Sequence, residues 1–315
     1  MRAIRVERFG GPEVLTPVQS EAPTPISTEV LVEVHAAGVN PVDCKTRSGT
    51  GVARWAGPPP FIPGWDVAGV VVDAGYGVTR FSPGDRVFGV PRFPRAAGAY
   101  AEYVTAPSLQ LSLIPDGLGF AEAAAIPLAA LTAWQALETA GLSAGDTVLV
   151  HGASGGVGHL AVQLATKIGA SVIAAARPRS HQFLRGMGAV GLVDSALVAA
   201  GGAAVEVDVA VDLVGRADTG LLVGTVRPGG VLLAIADGAD EPTKAAADRL
   251  GVRVLEPLVE PDGRGLDGVK AMFARGSLRV ELDSMLALEQ AADAHRRLEA
   301  GGVRGKLVLS VRSPG

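Results

Sequence analysis

From Thr147 onward the chain alternates apolar runs with helical stretches, and this rhythm most constrains the fold. TVLVHG (147–152), SVIAAA (171–176), VDVAVDLV (207–214), GGVLLAIA (229–236) and VRVLEPL (252–258) read as strands. GVGHLAVQLATKIG (156–169), HQFLRGMG (181–188), GLLVGTV (220–226) and KAAADRLG (244–251) read as helices between them. A strand apolar along its whole length is buried on both faces. Strands of that kind alternating with helices specify a parallel sheet covered on both sides, the doubly wound α/β class.

Upstream the pattern differs. EVLVEVHAAGV (29–39), DVAGVVVDAG (66–75), DRVFGV (85–90) and AYAEYV (99–104) are short apolar runs, with SPGD (82–85) and TPVQ (16–19) reading as turns. Many short strands between turn signals predict an all-β, barrel-like unit. Near Asp116 the chain turns helical, with a break at Pro127. After Pro261, GLDGVKAMFARG and LALEQAADAHRRLEAG read as amphipathic helices, and GKLVLSV (305–311) as a last strand returning to the first domain. The expected division is 1–115 plus 260–315 for the β-rich domain and 116–259 for the α/β domain. At 315 residues the chain exceeds what one core usually accommodates.

The net charge of −4 argues against a general affinity for nucleic acid or anionic membranes. The start, MRAIRVERFGG, lacks an apolar signal segment, and no uninterrupted apolar run is long enough to span a bilayer. The one cysteine, Cys44, excludes an intrachain disulfide and any multi-cysteine metal site. A cytoplasmic protein is expected.

HGASGGVGHLAVQLA follows a predicted strand and opens a predicted helix. Gly152, Gly155 and Gly158 stand at G-x-x-G-x-x-G spacing, where residues without a Cβ let backbone N–H groups approach a pyrophosphate at a helix N-terminus. Gly152, Ser154, Gly155, Gly156 and Val157 are therefore candidate dinucleotide contacts. An NAD site commonly carries an acid after the next strand; here Arg177, Arg179 and Ser180 follow it. A guanidinium cannot accept from a ribose 2′-OH but can grip a 2′-phosphate. These residues predict NADP(H); the competing reading is two solvated loop arginines.

The chain resembles the medium-chain dehydrogenase/reductase superfamily, within it the zinc-free quinone oxidoreductase branch. The resemblance rests on AAGVNPVDCKTRSG (36–49), PGWDVAGVV (63–71), PGDRVFG (83–89), GAYAEYV (98–104), LTAWQAL (131–137), HGASGGVG (151–158), RPGG (227–230) and RGKLVL (304–309). It implies a GroES-like catalytic domain with an inserted Rossmann domain, an active cleft between them, and a homodimer. Zinc relatives have Cys where Asn40 stands and His where Trp65 stands, so no metal is expected. His35, His151, His159, His181 and His295 show no ligand spacing either. The resemblance also places Thr132, Ser195, Val214, Gly215, Arg216, Ala236, Leu258 and Lys306 near the cofactor. An ordinary helix threonine competes for Thr132, and a strand anchor for Lys306.

Without zinc, reduction of a quinone or an α,β-unsaturated carbonyl needs donors at the substrate oxygen. Lys45 is the first candidate, against a solvated surface lysine. Asn40 is the second, against an Asx-type cap of NPVD. Trp65 is expected to pack, as a pocket wall or in the core. The loop GTGVARWAGPPPF (49–61), with Trp55, is expected to shape the substrate entrance. The function expected is an NADPH-dependent reductase of quinones, enones or enoyl compounds; the alternative is an NADPH-binding sensor or structural protein with little catalysis.

Overall fold

The computed structural model describes residues 1–203, 205–215 and 218–312. Two compact units are present, Met1–Leu131 with Glu260–Gly315, and Thr132–Val259. In chain order the strands are β1 (Arg2–Val6), β2 (Leu15–Gln19), β3 (Glu29–Val39), β4 (Asp66–Ala74), β5 (Arg86–Gly89), β6 (Tyr103–Pro107) and β7 (Leu111–Leu113). β8 (Thr147–His151), β9 (Ser171–Ala176), β10 (Gly191–Asp194), β11 (Val207–Asp212), β12 (Val226–Ala234) and β13 (Arg253–Leu255) follow, then β14 (Leu282–Ala287) and β15 (Lys306–Ser310).

The first unit is built on β3. It pairs antiparallel with β15, β4 and β6, inside a sheet of order β14-β15-β3-β4-β5-β7. Val30, Val32 and Val34 point to one face, fully buried with Val67, Val87, Leu307 and Leu309. Burying each such side chain contributes roughly 1.5–3 kcal/mol. The returning strand β15 is thus integral to this GroES-like core.

The helical stretch from Phe120 begins in this unit. A Cβ on Gly38 of β3 would lie 2.4 Å from the Ala124 carbonyl and 2.7 Å from Asp66 Cβ, so only glycine permits this packing. Helix Pro127–Ala140 starts beside it, and its Leu128 N–H donates to Asp66 Oδ1 at 2.7 Å. These contacts explain why residues up to Leu131 belong to the first unit.

The second unit is a six-stranded parallel sheet of order β10-β9-β8-β11-β12-β13. From β8 the chain steps outward through β9 to β10, then returns to the other side of β8 for β11 to β13. The topological switch point therefore falls between β8 and β11. Leu149, Ala210 and Leu232 are completely buried in the core of this Rossmann-like unit.

Several local readings change. AYAEYV (99–104) contributes only its last two residues to β6, VRVLEPL (252–258) is strand only over Arg253–Leu255, and GLLVGTV (220–226) is α-helical only up to Leu222. TPVQ lies in strand β2, where Pro17 is tolerated because the pairing is a two-stranded ribbon with β1. Residues 286–287 are strand, ending β14 alongside β15; the helix expected over LALEQAADAHRRLEAG is confined to Ala291–Glu299. No described helix is long and apolar enough to cross a membrane.

Candidate functional site

In the second unit, His151 ends β8 and the glycine turn follows at once. Gly152 has φ +80°, which strains any residue with a Cβ. Its N–H and that of Ala153 both donate to Ala175 O at 3.2 Å, tying the turn to β9. A Cβ on Gly158 would lie 2.3 Å from the Gly152 carbonyl, so the opening of helix Gly158–Ile168 can lie against the turn only with glycine there. Ser154, Gly155, Gly156 and Val157 are half-buried, ahead of the helix N-terminus. Backbone N–H groups and the positive end of a helix dipole meet here, an arrangement suited to an anionic group.

Arg177 follows β9 directly in extended conformation, and Pro178 opens a short 3-10 turn over Pro178–Ser180. Arg177 and Arg179 are both exposed, whereas Ser180 is buried and its N–H donates to Arg177 O at 2.9 Å. Ser195 follows β10 and is half-buried. Val214, 42% exposed, and Gly215, φ +76°, follow β11. Arg216 lies outside the described residues. Ala236 is half-buried after β12, and Leu258 is exposed after β13. Thr132 is buried and its Oγ1 has no hydrogen-bond partner among the described residues.

One pair at this sheet edge was missed by motif spacing. His151 and Asp212 are direct neighbours in the β8–β11 register and both are buried. His151 Nδ1 lies 3.2 Å from Asp212 Oδ1, the oxygen that also accepts from the Val214 and Gly215 N–H groups at 3.0 and 3.1 Å. Asp212 Oδ2 accepts from Thr219 Oγ1 at 2.5 Å. Burial works against the Asp212 charge, but the donors from His151, Thr219, Val214 and Gly215 outweigh it and hold its pKa below the usual value.

In the first unit, Asn40 caps helix Pro41–Arg47, and its N–H donates to Asp43 Oδ2 at 2.6 Å. The Asn40 side chain is buried; Nδ2 donates to Asp66 Oδ2 at 2.8 Å and Oδ1 accepts from Lys306 Nζ. Lys306 Nζ also donates to Asp66 Oδ2 at 3.1 Å. The structure therefore places Asn40 at the helix cap and Lys306 as an anchor of β15. Trp65 is 1% exposed, its Nε1 donates to Arg95 O at 2.7 Å and Phe93 packs edge-on, so it belongs to the core rather than to a substrate surface. Trp55 is exposed, with the Arg54 guanidinium 3.7 Å over its ring. Lys45 is half-buried on helix Pro41–Arg47, and its carbonyl takes the Thr50 N–H and Ser48 hydroxyl, both at 2.8 Å.

A second buried relay underlies that helix. Arg47 Nη1 lies 3.3 Å from His295 Nδ1, and an Arg only donates, so Nδ1 accepts and Nε2 carries the hydrogen. His295 Nε2 then donates to Tyr100 Oη at 3.2 Å, and Tyr100 donates to Asp43 Oδ2 at 3.3 Å. Burial pushes Asp43 up to about 7. Burial, with the Arg47 charge, lowers His295 to about 3.

Family models match two stretches of the chain. Residues 27–116 match the family "Alcohol dehydrogenase GroES-like domain" and residues 187–309 match "Zinc-binding dehydrogenase". The chain belongs to the medium-chain dehydrogenase/reductase superfamily, a class of oxidoreductases. Within it, the chain falls in the quinone oxidoreductase branch. Quinone oxidoreductase of Sus scrofa is 34% identical over 98% of this chain and 97% of its own length. The 2-methylene-furan-3-one reductase of Solanum lycopersicum is 33% identical over 98% of this chain and 79% of its own. A solved mycobacterial protein complexed with NADPH is 29% identical, covers 99% of this chain and 100% of its own, and superposes with a TM-score of 0.86.

Proposed function

We propose that the protein is an NADPH-dependent, zinc-independent reductase of quinones or α,β-unsaturated carbonyl compounds. The observation that carries the reading is the glycine cradle at the sheet edge followed, one strand later, by exposed Arg177 and Arg179 in place of an acid. The turn residues Gly152–Val157 would hold the pyrophosphate by backbone N–H groups at the helix N-terminus. Arg177 and Arg179 would grip the 2′-phosphate with paired N–H donors. Thr132, Ser195, Val214, Gly215, Ala236 and Leu258 are proposed as further contacts of the dinucleotide, and Arg216 with them.

A nicotinamide bound there would supply the hydride for the far carbon of the conjugated system, and a solvent proton would complete the reduction. Lys45 is the residue proposed to stabilise the negative charge that would develop on the substrate oxygen. Asn40 and Lys306 are better suited to holding Asp66 than to meeting substrate, because their polar atoms are already engaged.

The donor set supports metal independence. Zinc takes about four N, S or O ligands in tetrahedral array. Trp65 offers no lone pair, Asn40 Oδ1 is taken by Lys306, and an ammonium already stands against Asp66. The reading is also supported by the quinone and 2-methylene-furan-3-one reductases among the relatives. Steady-state kinetics with NADPH and NADH test the cofactor choice. NADPH is expected to be preferred at least tenfold in kcat/KM, with the preference abolished in Arg177→Ala/Arg179→Ala. An unchanged preference in that variant contradicts the phosphate grip.

A further inference from the structure

We propose that His151, through Asp212, is a positioning residue for nicotinamide-nucleotide binding, fixing the two loops that flank the switch point. The inference rests on the cofactor reading above and names residues that the glycine motif does not contain. β8 and β11 are the strands between which the sheet order reverses, and the pair closes both at the same register. His151 leads into the glycine turn by one peptide bond. Asp212 leads into Leu213, Val214 and Gly215.

The hydrogen bonds have one consistent direction. Asp212 is held as a carboxylate and only accepts, so His151 Nδ1 carries the hydrogen and donates. The same oxygen gathers the Val214 and Gly215 N–H groups. Its partner oxygen takes the Thr219 hydroxyl from helix Asp218–Leu222. One buried carboxylate thus sets the path of the 213–215 loop, and His151 ties that carboxylate to the start of the glycine turn.

The two loops also touch. A Cβ on Gly152 would lie 3.1 Å from Val214 Cγ2 and 3.3 Å from Leu213 Cβ. A displaced 213–215 loop would therefore press on the turn that forms the anion cradle. A Cβ on Gly215 would lie 2.4 Å from Asp237 Oδ2, so the loop is closely packed at that residue too. His151 Nε2 faces Asp218 Oδ2 at 3.8 Å, so the imidazole has a carboxylate on either side.

The test compares His151→Phe, which keeps ring bulk and loses the donor, with His151→Asn, which restores an N–H. Two readouts are taken on the full chain: hydrogen exchange at the Val214 and Gly215 amides without nucleotide, and the Kd and kinetics for NADPH. A hydrogen bond to a buried charge predicts roughly tenfold effects. In His151→Phe the two amides are expected to exchange about tenfold faster and the Kd and KM for NADPH to rise about tenfold. kcat at saturating NADPH is expected to change by less than about twofold. His151→Asn is expected to recover most of the loss. Thr219→Val, which removes a single donor to the other oxygen, keeps the inference testable if His151→Phe fails to fold; it predicts a smaller rise in Kd. An unchanged Kd in a folded variant, or equal loss in His151→Phe and His151→Asn, overturns the positioning role. Wild-type protein that binds no NADPH brings down the cofactor reading itself, a different result from wild-type binding that the variants leave intact.

Discussion

Asp43 and His295 titrate in opposite senses although they belong to one hydrogen-bonded relay. Asp43 is raised from an ordinary 3.8 to about 7, so its contribution to stability is complete below 3.8 and is lost as pH rises through 7. His295 is lowered from 6.5 to about 3, so its contribution is complete above 6.5 and is lost as pH falls through 3. Between these limits the two effects oppose each other. Asp43→Asn removes one of them. Its stability relative to wild type should therefore rise with pH between about 4 and 7, by on the order of 4 kcal/mol at full extent. Urea unfolding at several pH values measures this; parallel profiles for the two proteins would contradict the assignment. The relay itself was not legible in the sequence, because Arg47, Tyr100 and His295 come from segments far apart in the chain. Nor was the Lys306–Asp66 pair, whose members are 240 positions apart. The NPVD motif did carry its own clue: an Asn before Pro, followed by Asp three residues later, is a helix start.

Elements with a strong period were readable and elements defined by their neighbours were not. β3 was read over its full span, Glu29–Val39, because β-branched residues recur on its buried face. β9 was read residue for residue, because SVIAAA is uninterrupted by charge and is closed off by Gly169 shortly before it and Arg177 directly after it. β14 has no such signature. LDSMLA favours helix by propensity and becomes strand only because β15 lies beside it. The His151–Asp212 pair shows the same limit at the site: each residue lies in a strand that was read, but their adjacency follows from sheet order, which local spacing does not encode. The glycine turn is the element where sequence and geometry coincide most closely. Gly158→Ala should weaken NADPH binding at least tenfold, since the added Cβ meets the Gly152 carbonyl and Ala153 Cα at 2.3 and 2.7 Å. Calorimetric titration of the folded variant checks this, and wild-type affinity would show that the turn does not hold the nucleotide.

At the scale of the whole molecule, the change from short β runs to a strand–helix alternation foretold two units of different architecture. The proposed chemistry is divided accordingly. Nucleotide-holding backbone lies in the Rossmann-like unit, and the half-buried Lys45 lies in the GroES-like unit, which also holds a buried ammonium–carboxylate–amide cluster. Asn40 of that cluster, and Trp65 next to Asp66, stand at the two positions where the resemblance implies ligands in zinc enzymes, and metal-free reduction is the central claim. The most direct measurement is NADPH consumption by chelator-treated, metal-analysed protein against a panel of quinones and α,β-unsaturated ketones. The account predicts turnover of at least one such substrate with no bound zinc, undiminished by chelation and reduced at least tenfold in Lys45→Ala. Turnover that requires stoichiometric zinc, or tight NADPH binding with no turnover on any conjugated carbonyl, would contradict it.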